Sequence, residues 1–205
     1  MTVFETAAAS PRADSEDRQL VLHTGDAWVI AVADGTGGMS GGAQAADLVI
    51  AAVRDRATQS GFDVGSAAAW TGLLGELDRD IAAAAQAGET TGIVLAVTAG
   101  LVVGASCGDS RAYLIDGAGK LELTRDQQRK PRLGSGRASP RGFVAARAGT
   151  LVVATDGLFD YVPIAAIRDT VARGGGSLAG ALVELVLARF QQPPDDIVVV
   201  AGRLT

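Results

Sequence analysis

One cysteine, one histidine and 4% aromatic residues leave little material for several kinds of chemistry in a chain of 205 residues. The lone Cys107 has no partner for an intramolecular disulfide. It sits in the apolar run LVVGASCGD, where the expected role is that of a small buried hydrophobe. A single imidazole, His23, cannot supply the histidine and cysteine set of a zinc cage. It falls in a predicted strand, which points to a structural role and away from a general base or the partner of a nucleophile. Long apolar runs are also missing: 43–53 and 178–190 are interrupted by polar or charged residues and fall short of the roughly 20 residues that cross a bilayer. The opening MTVFETAAASPRADSEDR has no basic start followed by an apolar stretch, so no secretion signal is read, and a cytoplasmic location without a membrane partner is expected. A net charge of -5 offers no broad basic face for nucleic acid.

What the chain does have is 48% hydrophobic residues, enough to bury a substantial core in one domain over 1–205. Short β-branched runs predict strands over 19–23, 28–33, 92–99, 101–106, 111–115, 151–154 and 197–202. The AspGlyAlaGly sequence at 116–119 and the break at 98–100 are tight turns, which join antiparallel neighbours only. Ala-rich stretches over 42–57 and 67–87 predict consecutive helices, and 163–172 and 178–190 predict two more, with Pro163 suited to a first helical turn. Grouped strands and paired helices favour an α+β layered domain over a doubly wound parallel sheet. Gly174, Gly175 and Gly176 read as a loop between helices. The charge is uneven: Arg125, Arg129, Lys130, Arg132, Arg137, Arg141 and Arg147 stand against one acid, Asp126, and 127–142 reads as one long exposed loop.

Acids recur beside glycine or at predicted strand ends: SerGluAsp at 15–17, AspGlyThrGlyGly at 34–38, CysGlyAspSerArg at 107–111, ThrAspGlyLeuPheAsp at 155–160 and ProProAspAsp at 193–196. An aspartate ending an apolar strand is held by a rigid scaffold, and several such ends together make a cage of oxygen donors. Such donors select hard cations, magnesium or manganese, over zinc. The stretch GTGGMSGG lacks the Gly-Lys-Ser/Thr ending of a nucleotide-binding loop. Singly, each AspGly reads equally well as a turn.

Taken in order, RADSEDR, VADGTGGMSGG, GETTGIVLAV, GDSRAYL, LTRDQ, ATDGLFDYV and DDIVVV resemble the successive motifs of the metal-dependent serine/threonine protein phosphatases, the PPM or type 2C family, in a small bacterial form. The resemblance spans nearly the whole chain. It implies two antiparallel β-sheets packed as a sandwich and flanked by pairs of antiparallel α-helices. It also implies two or three divalent metal ions, Mn2+ or Mg2+. Asp34 resembles the carboxylate bridging two ions, Gly35 the donor of a backbone carbonyl, and Asp156 and Asp195 the remaining ligands of the first ion. Asp196 replaces the family's usual asparagine, which leaves the choice between Asp195 and Asp196 as ligand open. Glu16 resembles the acid serving the second ion, Asp17 the residue orienting bound water, Asp109 a ligand of a third and weaker ion, and Arg12 the phosphate-binding arginine.

The mechanism so implied is attack on phosphoserine or phosphothreonine by a hydroxide bridging two ions about 4 Å apart. The implied partner is a phosphorylated protein, a serine/threonine kinase or its targets among them, and the chain is expected to act as a monomer in signalling. Two departures stand out: Thr36 replaces a common histidine, and the flap segment, 125–147, is short and basic. A partner-switching phosphatase acting on one phosphorylated regulator, and a catalytically silent relative that only binds a phosphoprotein, remain as alternatives.

Overall fold

The computed structural model describes residues 2–36, 41–117 and 119–205. Gly37 and Gly38 of the AspGlyThrGlyGly motif, Met39 and Ser40 of the glycine-rich stretch, and Ala118 of the turn predicted at 116–119 lie outside the described residues. Chain order begins with β1 (Glu5–Ala9), β2 (Asp17–Thr24) and β3 (Ala27–Thr36), followed by helices α1 (Gly41–Thr58) and α2 (Ala67–Ala83). A run of strands follows: β4 (Glu89–Thr90), β5 (Gly92–Val97), β6 (Leu101–Cys107), β7 (Arg111–Ile115), β8 (Lys120–Glu122), β9 (Arg141–Ala146) and β10 (Thr150–Ala154). Helices α3 (Asp156–Phe159), α4 (Ile164–Arg173) and α5 (Leu178–Leu187) precede the last strand, β11 (Ile197–Arg203). No helix among the described residues is long and apolar enough to cross a membrane.

Two antiparallel sheets result, one ordered β1-β11-β10-β7-β8 and the other β2-β3-β5-β6-β9, with β4 paired to the end of β3. Strand alternation sorts the apolar side chains into three layers. Ile30, Val32, Ile93, Leu95, Val153, Val198 and Val200 meet between the sheets. Val29, Ala31, Ala33, Val94 and Ala96, from the opposite face of the second sheet, pack under Val49, Val53, Trp70 and Leu74 of α1 and α2. Val152, Ala154, Ile197 and Val199 pack under Ile167, Leu182 and Val186 of α4 and α5. The same central strands are apolar on both faces because each sheet has a helix pair on one side and the other sheet on the other.

The segment 127–142 departs from the expected exposed loop. Leu133 is fully buried and exchanges two backbone hydrogen bonds with Thr90, at 2.9 and 3.0 Å. Asp78, buried on α2, accepts from the backbone N–H groups of Gly134, Gly136 and Ala138 at 2.9 to 3.0 Å. The chain then enters β9, which pairs with β6 along its length. A strap fastened to a helix and a strand therefore replaces the loop that composition suggested. The strand β1, also unexpected from sequence, pairs with β11 and carries the chain toward the site.

Candidate metal centre

The site gathers at one end of the sandwich, where β3, β6 and β10 run out. Asp34 lies near the end of β3, Asp109 follows β6 by one glycine, and Asp156 opens α3 directly after β10. One carboxylate oxygen from each of the three lies within 4.8 Å of the others. Asp34 is the most firmly held. Its backbone N–H donates to Thr91 Oγ1 at 3.0 Å, and its carbonyl accepts from Thr91 N at 2.8 Å and from Thr90 Oγ1 at 2.9 Å. Thr91 Oγ1 in turn lies 2.7 Å from Ser110 Oγ, which ties the Asp34 strand to the GlyAspSer turn. These threonines belong to the GETTG sequence, whose wider resemblance located the motif without assigning them a task.

Asp17 opens β2 as the register partner of Asp34. It is buried, and its Oδ2 has no hydrogen-bond partner among the described residues. Burial and then the charge of Asp34 push its carboxyl up to about 8, with the Thr155 hydroxyl pulling the other way. Asp34 is raised to about 7 by burial and by Asp156, partly offset by Arg132, and Asp156 to about 6 by burial and by Asp109. A carboxyl group taken out of water beside other carboxyls resists ionising unless a cation joins it. Oxygen-only donors, mutual repulsion and an orphaned buried oxygen together fit a hard divalent cation.

Asp195 is exposed, and its charge acts on both Asp34 and Asp156. Its neighbour Asp196 is buried and otherwise engaged. It accepts from Ser10 Oγ at 2.5 Å, Arg12 Nη2 at 2.6 Å and the Glu16 N–H at 2.7 Å. Burial alone would raise Asp196, but these three donors overcome it and hold the group below the usual carboxylate range. Asp196 is thus the anchor of the N-terminal segment, and Asp195, whose Oδ1 accepts from the Asp196 N–H at 2.8 Å, lies outside the three-acid group. Arg12 also donates to Glu16 Oε2 at 3.1 Å, and about half of its side chain is exposed.

Gly35 and Gly42 explain how α1 comes so close to the site. A Cβ on Gly35 would collide with the Gly42 carbonyl, and one on Gly42 would stand 2.8 Å from Glu16 Oε1, so only hydrogen fits at either position. Glu16 is thereby set at the edge of the cluster, with one oxygen toward Arg12 and the other toward the start of α1.

No family model matches the sequence, and no curated protein matches it. Solved structures do. A serine/threonine phosphatase from S. agalactiae superposes with a TM-score of 0.84 at 18% identity, over 100% of this chain and 99% of that one. Stp1, a serine/threonine phosphatase from Staphylococcus aureus, gives 0.82 at 20% identity over 100% of this chain and 94% of its own. The catalytic domain of the serine/threonine protein phosphatase PstP, in complex with two manganese ions, gives 0.75 at 24% identity over 100% of both chains. This chain has the bacterial serine/threonine phosphatase fold. The likeness extends from end to end, so the sandwich, the helix pairs and the strand ends that carry Asp34, Asp109 and Asp156 belong to one shared architecture.

Within that fold the basic segment holds a residue that sequence reasoning misplaced. Composition groups Arg132 with exposed basic neighbours, yet it turns inward: Nη2 lies 2.9 Å from both oxygens of Asp109 and Nη1 donates to Thr36 Oγ1 at 3.0 Å. Arg129 stays outside, 3.9 Å from Asp160, which also receives Arg111 at 2.7 Å. Nothing local in the sequence separates the inward arginine from the outward ones. His23 is exposed and packs edge-on to Trp28 at 4.8 Å, far from any nucleophilic role, and Cys107 is buried, its thiol pushed up to about 11 by burial.

Proposed function

We propose that this chain is a divalent-metal-dependent phosphatase that hydrolyses phosphoserine and phosphothreonine in a protein substrate. The observation that carries this reading is the meeting of Asp34 and Asp156, with Asp109 beside them and paired to Arg132, within 4.8 Å at the strand ends of a phosphatase fold. Asp34, Asp156 and Asp195 would hold one ion. Asp34 and Glu16 would hold a second, of manganese or magnesium, and the Gly35 carbonyl would donate to one of the two. Bound there, the ions supply activation of water and neutralisation of charge on the phosphoryl group.

The chain's own residues do the rest. Asp17 offers a buried carboxylate oxygen, Oδ2, able to accept a proton and to orient water beside Asp34. Arg12 keeps N–H donors beyond the two used on Glu16 and Asp196, so a phosphate arriving from solvent finds a planar guanidinium already oriented. Asp196 sets that orientation from below. Hydrolysis needs no nucleophilic side chain, in keeping with a thiol held protonated at Cys107. The physiological partner is then a phosphorylated protein, a kinase or its targets, met in the cytoplasm by a monomer whose shortened flap, 125–147, contains the 127–138 strap.

Hydrolysis of para-nitrophenyl phosphate with manganese, with magnesium and with a chelator tests the reading. The expected result is turnover with either ion and loss with chelator. Turnover that survives chelation would sink it.

A further inference from the structure

Among the seven basic residues of 125–147, Arg132 is set apart by its partner: 13% of its side chain is exposed, against 67% for Arg125 and 61% for Arg129, and while Arg147 also turns inward, it donates to Thr2, Thr98 and Thr205 and not to an acid of the cluster. Its partner Asp109 is as covered, with 11% of the side chain exposed. The backbone on both sides of Arg132 is fixed. Cys107 Sγ donates to the Pro131 carbonyl at 3.6 Å, Leu133 pairs with Thr90, and Asp78 takes the N–H groups of Gly134, Gly136 and Ala138. The side chain is therefore delivered to the site by a tethered strap. Arg132 Nε is buried with no hydrogen-bond partner among the described residues, so the acids it faces, and not a full set of hydrogen bonds, account for its position.

We infer that Arg132 is the resident cation of the Asp109 side of the site, occupying that carboxylate so that the chain takes two divalent ions and admits a third only when the guanidinium is removed. The inference rests on the metal-phosphatase reading and departs from the three-ion expectation of the sequence. A guanidinium cannot give up its charge at any pH the protein survives. A divalent ion seated on Asp109 would have to displace Arg132 and leave a positive group facing another, with its carboxylate partner lost. Thr36 takes the other arm, since its hydroxyl accepts from Nη1 while Nη2 alone serves both oxygens of Asp109. Arg132 thus acts as a positioning and charge-balancing residue, fixed where an exchangeable ion would otherwise come and go.

Counting bound Mn2+ by electron paramagnetic resonance and by calorimetry tests this without reference to turnover. The parent protein should bind two ions per chain, and Asp109→Asn alone should leave that number unchanged. Arg132→Met should gain one weaker site, which Arg132→Met/Asp109→Asn should lose, while Arg132→Lys should stay at two. Three ions on the parent, a smaller count in Asp109→Asn, or no gain in a folded Arg132→Met would overturn the inference. The comparison of parent with Asp109→Asn stands even where Arg132→Met does not fold. Mn2+ binding that is indifferent to Asp34→Asn would instead defeat the phosphatase reading, and this inference with it.

Discussion

Asp17, Asp34 and Asp156 are acids whose native environment favours the protonated form, and that fixes how the metal-free protein responds to pH. Their folded values of about 8, 7 and 6 lie above the ordinary 3.8, so the native state holds protons that the unfolded chain has released. The stability they contribute is fully present below the unfolded value, falls as pH rises from there, and is gone once pH passes each folded value, near 6 for Asp156 and last near 8 for Asp17. Asp196, held below its ordinary value, works in the opposite sense and only at lower pH, so it does not mask this trend. Thermal unfolding in chelator should give a lower Tm at pH 8 than at pH 6, and Mn2+ should narrow the gap. An equal or higher Tm at pH 8 without metal would contradict the burial argument. Asp34→Asn removes one of the clashing charges. It should raise the metal-free Tm at pH 8 by about 2–4 °C, the equivalent of about 1 kcal/mol in a chain of this size, while abolishing metal-dependent turnover. At Arg12 the expectation is a loss of about 2 kcal/mol in kcat/KM for an aryl phosphate on replacement by alanine, with Mn2+ affinity kept. Lysine should restore only part, for want of the planar fork. Unchanged kinetics in Arg12→Ala would reduce Arg12 to an anchor for Asp196.

Elements built from alternating β-branched residues were legible in the sequence because each carries its own signal. Arg111–Ile115 is as predicted, and the other central strands differ by a few residues at their ends. Elements that borrow their order from a neighbour were not legible. The strand Glu5–Ala9 is ETAAA, poor in strand-forming residues, and it is extended because β11 offers an unpaired edge. The strand Arg141–Ala146, rich in glycine and alanine and exposed on alternate residues, depends on β6 in the same way. The strap at 127–138 has a loop's composition, and its fastening point, Asp78, lies more than 50 residues upstream, so no local pattern announces it. Asp78→Ala should leave three backbone donors without a carboxylate and cost about 2–3 kcal/mol. That corresponds to a fall in Tm of about 5–10 °C. Hydrogen exchange at Leu133 should accelerate in the same variant, and unchanged protection there would show that the Thr90 pairing holds the strap unaided.

At the level of the whole molecule, a single sandwich brings together acids drawn from 34 to 156 in the sequence, with Asp17 beside Asp34, and it does so by ending several strands at one place. The motif order and the residue types at those ends were readable, because an acid after an apolar run is a local pattern. Their mutual distances were not, nor was the inward turn of Arg132, since both depend on how the sheets and the strap pack. With Arg132 committed to Asp109, Arg129 and Lys130 are among the exposed charges of the segment that, on the phosphatase reading, a substrate protein would meet. Arg129→Gln/Lys130→Gln should reduce turnover of an acidic phosphoprotein several-fold and spare a small aryl phosphate, with the difference shrinking once salt brings the Debye length to about 8 Å or less. Equal losses on both substrates would place these residues in support of the metal site instead. The most direct test of the account is phosphate release from a phosphoserine protein under saturating Mn2+, comparing the parent with Asp34→Asn and Asp156→Asn. The account predicts turnover by the parent and a loss of about 10³-fold or more, roughly 4 kcal/mol, in each folded variant. Activity within a few-fold of the parent in either variant would contradict it.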